Sequence, residues 1–226
     1  MIMGYLIAFD GIDASGKTTQ AKLLHDRLKN EGRDVLYLTF PDYENESSAL
    51  VRLYLNGDFG KNPSDVNAYA ASSFYAVDRY ASYITRWKEF YGRENSIIIA
   101  NRYTTANAIH QLAKLERYEW DKFLDWLWDF EFNKLKIPKP DMTVLFDMHP
   151  DVAVKLIEER AKKTRVKKDI HEMDLDYLRK SYEAGQYAAK YLGWEKIICC
   201  ERDERGILIP KSEEVINKNL LKLVMR

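Results

Sequence analysis

The chain has 226 residues, with 35 basic and 35 acidic side chains and a formal net charge of zero. That length suits one α/β domain spanning 1–226, and the 46% hydrophobic, 31% charged composition is that of a globular protein. Zero net charge argues against a general nucleic-acid coat, and no apolar run approaches the 18 residues of a membrane span, so neither nucleic acid nor membrane is expected as a partner.

The first segment, MIMGYLIAFDGID, is apolar but lacks a basic start and a small-residue cleavage site, so it reads as a buried strand over 4–10 rather than a signal peptide. A helix follows at about 17–30, with Ala21, Leu24 and Leu28 at helical spacing, and then a strand at 34–40. A long helix is expected after Pro63, with Tyr69, Ala76, Tyr80, Tyr83 and Trp87 as its apolar stripe. Further strands are expected at 96–100, 142–147 and 196–200. The stretch 120–132 holds Trp120, Phe123, Leu124, Leu127, Trp128 and Phe130, plus Trp126, and reads as a core helix or as a helix with a second apolar face for a dimer. Residues 158–172 carry six basic and four acidic side chains, the composition of a solvated helix end and also of a lid closing on polyphosphate. Apolar strands alternating with helices argue for a parallel sheet covered on both faces. The only cysteines, Cys199 and Cys200, are adjacent, so an ordinary disulfide between them is disfavoured and a reducing cytoplasm fits.

The chemistry concentrates in Gly11-Ile-Asp-Ala-Ser-Gly16-Lys17-Thr18, which matches G-x-x-x-x-G-K-[ST] between a predicted strand and a predicted helix. Backbone N–H groups of Gly11, Asp13, Ala14, Ser15, Gly16, Lys17, Thr18 and Thr19 would surround an anion at a helix N-terminus worth about +0.5 charge. Lys17 would reach the β- and γ-phosphates, and Thr18 would hold Mg²⁺, with Asp10 or Asp147 supporting the ion through water or simply making structural hydrogen bonds. The two Asn-Lys pairs, at 133 and 217, do not continue as the guanine-reading N-K-x-D, so a small-molecule kinase is favoured over a GTPase. Tyr75 and Arg79 are four apart and share a helix face. A ring that stacks on a base beside a guanidinium that donates to its carbonyl suits a pyrimidine, and a core contact beside a surface arginine explains the spacing equally well. Asn101-Arg102-Tyr103 follows the third strand at the sheet's carboxyl edge, where Arg102 would clamp an acceptor phosphate or form a surface ion pair.

Together these residues resemble the thymidylate kinase family. The loop Phe9-Asp-Gly-Ile-Asp-Ala-Ser-Gly-Lys-Thr-Thr-Gln20 is similar to its phosphate loop. Phe40-Pro41, Tyr75 with Arg79, Asn101-Arg102-Tyr103, Gln111 and Phe146-Asp147 resemble its later motifs, and 160–172 resembles its lid. The resemblance implies a three-layer P-loop nucleoside monophosphate kinase fold, with a five-stranded parallel sheet, helices on both faces and a short lid at 158–172. It implies transfer from ATP, with Mg²⁺, to dTMP, in a homodimer. Asp13 would contact the acceptor sugar, Tyr75 would stack on thymine, Arg79 would bond its O4 and Arg102 would hold its phosphate. Ser15 stands where one branch of the family carries arginine, so the catalytic cations would be Arg160 and Arg165 of the lid.

The departures cluster on the acceptor side. Asn101 replaces the family's aspartate, Tyr43 stands where an arginine is expected, Ala106 replaces a serine and His110 a tyrosine. They keep open a kinase acting on dUMP, UMP, CMP or another monophosphate, a deoxynucleoside kinase, and a nucleotide-binding regulatory module of low turnover.

Overall fold

The computed structural model describes residues 4–164 and 175–225. The elements in chain order are β1 (Tyr5–Asp10), α1 (Lys17–Asn30), β2 (Val35–Thr39), α2 (Ala49–Asn56), α3 (Ala68–Ser82), α4 (Lys88–Tyr91), β3 (Ile97–Asn101), α5 (Thr104–His110), α6 (Trp120–Trp128) and β4 (Met142–Asp147). They continue with α7 (Pro150–Thr164), α8 (Leu175–Leu192), β5 (Glu195–Ile198), β6 (Cys200–Arg202), β7 (Leu208–Pro210) and α9 (Glu213–Val224).

Strands β1 to β5 form one parallel sheet in the order β2-β3-β1-β4-β5, while β6 and β7 pair as a separate antiparallel ribbon. Successive side chains of a strand point to opposite faces, and β1 divides accordingly. Ile7 and Phe9 pack with Leu24 of α1, Val152 of α7 and Leu220 of α9. Leu6 and Ala8 pack with Trp87, Tyr91 and Tyr103 on the other face. A third apolar cluster joins Ala108 of α5, Phe123 and Leu127 of α6, and Ala184 and Ala188 of α8. The sheet is thus covered on both faces, as the alternating pattern predicts. Register sets Phe9 beside Asn101 and Thr39 beside Asn101, so the carboxyl ends of β1, β2 and β3 lie abreast.

Three local expectations need correction. The helix after Pro63 runs as α3, then a π-helical turn over Tyr83–Trp87, then α4. Its buried residues are Ala68, Ala71, Ser72, Ala76, Asp78, Arg79 and Ser82, while Tyr80, assigned to the apolar stripe, is exposed. The small residues among them let α3 approach its neighbours closely, while Tyr69, Phe74 and Tyr75 pack half-buried at its sides. The aromatic stretch 120–132 is likewise α6 followed by a π-helical turn, Asp129–Lys134. The expected strand at 196–200 ends at Ile198, and Cys200 opens the β6–β7 ribbon instead. Cys199 and Cys200 are free and buried. Of the proposed lid, residues 158–162 lie on α7 with Arg160 exposed, and Arg165 lies outside the described residues.

Candidate active site

The loop between β1 and α1 has the backbone that its glycines predict. Gly11 has φ +149°, and a Cβ there would sit 2.7 Å from the carbonyl oxygen of Phe146. Gly16 has φ +82°, and Ala14 between them is also left-handed at φ +59°. Left-handed alanine is disfavoured, so the surrounding fold holds it there. Gly16 caps α1 without a side-chain hydrogen bond, and the first turn carries no acid. A helix start with no capping side chain and no acid in its first turn is suited to an incoming phosphate.

Lys17 folds back along this loop. Its Nζ donates to the Ile12 carbonyl at 3.1 Å and lies 3.9 Å from Asp13 Oδ1. Burial, followed by repulsion from Arg102, pushes its ammonium down to about 8, against the pull of Asp13 and Asp10. Thr18 Oγ1 accepts a 3.1 Å bond from the Asn101 amide, whose nitrogen is also 3.4 Å from Thr39 Oγ1. The aligned ends of β1, β2 and β3 bring these three side chains together.

Beside the loop opens a cavity of about 150 Å³. Its wall includes Asp13, Phe40, Pro41, Tyr75, Arg79, Arg102, Ala106, His110 and Gln111, which the sequence placed on the acceptor side. Tyr43, Leu55, Tyr103 and Asn107 complete it. Asn101 is not part of that wall and instead faces Thr18 at the phosphate loop. Phe40-Pro41 is a cis peptide at the end of β2.

Arg102, in the cavity wall, is held by an unusual backbone. Its φ is +67°, its N–H donates to the Phe9 carbonyl at 2.9 Å, and buried Tyr103 anchors the next position by donating to the Pro138 carbonyl at 2.9 Å. The guanidinium donates to Asp13 Oδ1 at 2.5 Å and to His110 Nε2 at 2.7 Å, with Asp10 Oδ1 3.8 Å away. Arginine only donates, so His110 Nε2 is the acceptor in this pair. Tyr177 of α8 stacks on His110 and donates to its carbonyl at 2.6 Å. The Tyr177 phenol, raised well above its ordinary value by burial, stays protonated for that bond. The sequence reading missed Tyr177, because no local pattern ties residue 177 to residue 110.

Arg79 also lines the cavity and is only 1% exposed. The alternative of a surface arginine beside a core contact is therefore excluded. Its Nε and Nη2 donate to Glu131 at 2.7 and 2.6 Å, and its Nη1 is 3.4 Å from the Tyr103 carbonyl. Glu131 is fully buried and also accepts from Thr104 Oγ1 at 2.7 Å. The sequence reading missed this partner too. Its only local signal is a carboxylate between Phe130 and Phe132 in an apolar stretch.

The donor set suits Mg²⁺ arriving with a nucleotide rather than a resident ion. Among the described residues no three His, Cys, Asp or Glu side chains converge as ligands. Mg²⁺ commonly keeps water and binds substrate phosphates with few protein ligands, and the Thr18 hydroxyl at the start of α1 meets that need. Asp10 is occupied by the Gly11 N–H and Thr105, at 3.2 and 2.6 Å, and burial holds its carboxyl above the ordinary range. Asp147 accepts from Gln186 at 2.8 Å and lies 3.8 Å from Lys196 Nζ.

Comparison with known proteins identifies the family. The family model described as thymidylate kinase matches residues 9–205. A thymidylate kinase of Mycobacterium tuberculosis is 31% identical over 159 residues, which cover 70% of this chain and 72% of the relative. A probable thymidylate kinase of Pyrococcus horikoshii is 30% identical over 165 residues, covering 73% and 75%. The structure of a thymidylate kinase from Candida albicans superposes with a TM-score of 0.69 at 19% identity, covering 99% of this chain and 92% of that one, and so shares its fold.

Proposed function

The chain belongs to the thymidylate kinase family, and from that premise we propose that it transfers the γ-phosphoryl group of ATP to dTMP, giving ADP and dTDP. The observation that carries the reading is one cavity lined both by Arg102, bonded to Asp13 of the phosphate loop, and by the buried Arg79 with Tyr75.

Phosphoryl transfer asks the protein for in-line positioning and for charge compensation as the phosphoryl group moves. The loop N–H groups and Lys17 would hold the β- and γ-phosphates. Arg102 would exchange part of its contact with Asp13 and His110 for the acceptor phosphate, setting the attacking oxygen opposite ATP, while Asp13 turns to the sugar. Tyr75 would stack on the base and Arg79 would donate to its carbonyl, with Gln111 and Ala106 completing the floor. Arg160, and Arg165 beyond the described residues, are the proposed cations on the transferring group, both in the stretch 158–172 that the resemblance likens to a lid. When bound, Mg²⁺ would neutralise charge on the β- and γ-phosphates, held by Thr18 with Asn101 beside it. Asn101 retains an amide oxygen for orienting that hydroxyl but brings no charge.

One polypeptide domain, homodimerisation and a cytoplasmic location are part of the same proposal, the last supported by two free, buried cysteines. Among the described residues no helix is long and apolar enough to cross a membrane. The test is acceptor-dependent ADP production with ATP and Mg²⁺ across dTMP, dUMP, UMP, CMP, dGMP and thymidine. Preference for dTMP is expected. Preference for thymidine selects a nucleoside kinase, and ATP binding without acceptor-dependent turnover selects a regulatory module.

A further inference from the structure

We infer that Glu131 is a specificity-determining positioning residue, which fixes the Arg79 guanidinium to accept a 4-oxo pyrimidine and to reject a 4-amino one. The inference rests on the acceptor reading of the cavity and adds to it a residue outside the cavity wall.

Three elements converge on this point: α3 brings Arg79, the turn after α6 brings Glu131, and the first residue of α5 brings Thr104. Both charged side chains are withdrawn from solvent, at 1% and 0% exposed. Glu131 accepts two bonds from Arg79, at 2.6 and 2.7 Å, and one from Thr104 at 2.7 Å. A side-on bidentate pair fixes the guanidinium plane, and the threonine in turn fixes the carboxylate.

A guanidinium has five N–H hydrogens. Glu131 takes two, and the Tyr103 carbonyl takes a third at 3.4 Å. One hydrogen on Nη1 and one on Nη2 remain, on a residue that lines the cavity. Buried donors are costly to leave unmade, so the ligand beside Arg79 should bring an acceptor. The paired carboxylate also cancels the arginine's charge locally. The two arginines of the cavity therefore differ in kind: Arg102, whose side chain is partly exposed, can exchange its single bond to Asp13 for a phosphate, whereas Arg79, buried in a two-bond pair with Glu131, keeps its partner and suits a neutral carbonyl. Thymine and uracil offer O4 as an acceptor, whereas cytosine offers an amino donor at that position. A donor fixed by Glu131 would meet a donor in cytosine. The pair says nothing of the 5-methyl group, so it does not separate thymine from uracil.

The experiment measures kcat, KM and calorimetric affinity for dTMP, dUMP and dCMP in the wild-type chain, Glu131→Gln and Thr104→Val. Glutamine would set an NH₂ against an arginine donor and release the guanidinium from its plane. We expect KM and Kd for dTMP and dUMP to rise together by about tenfold or more, the scale of one hydrogen bond to a charged group. The weak dCMP affinity and the kcat for dTMP should change little, so the dTMP:dCMP ratio of kcat/KM collapses. Thr104→Val keeps the ion pair and nearly the same volume, and should lower that ratio in the same direction by a few-fold. It carries the test if Glu131→Gln does not fold. Equal losses for dTMP and dCMP, or an unchanged ratio in Thr104→Val, would overturn the inference, since a merely structural carboxylate lowers all acceptors alike. A wild-type chain that uses dCMP as readily as dTMP also overturns it while leaving the kinase reading intact. Absence of turnover refutes the kinase reading, and the calorimetric dTMP:dCMP preference then judges Glu131 by itself.

Discussion

Lys17 offers a quantitative check of the phosphate loop, because the ligand-free fold holds its ammonium at about 8. Burial is the main cause and the nearby Arg102 the second, and bound polyphosphate would oppose both. On simple titration, free Lys17 is ~90% protonated at pH 7, ~50% at pH 8 and ~10% at pH 9. The phosphates of ATP are ionised throughout this range and stabilise the ammonium, so the bound lysine should stay charged to pH 9. The sign follows directly: the value is depressed in the free protein and raised in the complex, so affinity is full below about 8 and falls as pH rises above it. Proton uptake on binding should then be ~0.1 at pH 7, ~0.5 at pH 8 and ~0.9 at pH 9, with affinity weakening about tenfold, or ~1.4 kcal/mol, between pH 7 and pH 9. Calorimetry of ATP-Mg binding in two buffers of different ionisation enthalpy measures the uptake. Lys17→Arg retains the charge throughout and should lose it. Uptake near zero at pH 9 in the wild-type chain, or equal uptake in Lys17→Arg, would refute the reasoning.

Two further perturbations bear on the same centre. Gly11→Ala places a methyl 2.7 Å from the Phe146 carbonyl at φ +149°, adding backbone strain on the order of 1–3 kcal/mol before any clash. The expected result is a lower melting temperature and a lost thermal shift with ATP, and a variant stabilised by ATP like the wild type would contradict the loop geometry. Arg102→Ala removes the charged donors that Arg102 brings to the cavity wall. It should reduce kcat/KM for dTMP by roughly 10- to 100-fold while ATP affinity in calorimetry stays within a few-fold, and a parallel loss of ATP affinity would place Arg102 on the donor side instead.

Much of the site is legible in sequence because its chemistry is local. Residues 11–18 carry their own geometry, since a strand, a turn that requires Gly11 and Gly16, and a helix start are consecutive in the chain. The alternation of short apolar strands and helices predicts the parallel sheet, and Tyr75 and Arg79 share a face through helical period alone. The π-helical turns at Tyr83–Trp87 and Asp129–Lys134 are not legible in the same way. They change the phase of a helix within a run whose residue pattern still looks helical, and packing decides where they fall.

By itself the sequence determined the phosphate loop, the sheet and the family, because each rests on short-range order along the chain. Only the tertiary structure decided the state of the arginines. Arg79 is buried against Glu131, 52 residues away, and Arg102 is held between Asp13 and His110 with Tyr177 behind. Asn101 is turned toward Thr18 rather than into the cavity. Such partners are chosen by which elements meet in space, and a buried charge takes whichever acceptor the fold brings within reach. No periodicity in the chain encodes that meeting, so the pairing of Arg79 with Glu131 emerges only once the helices are packed.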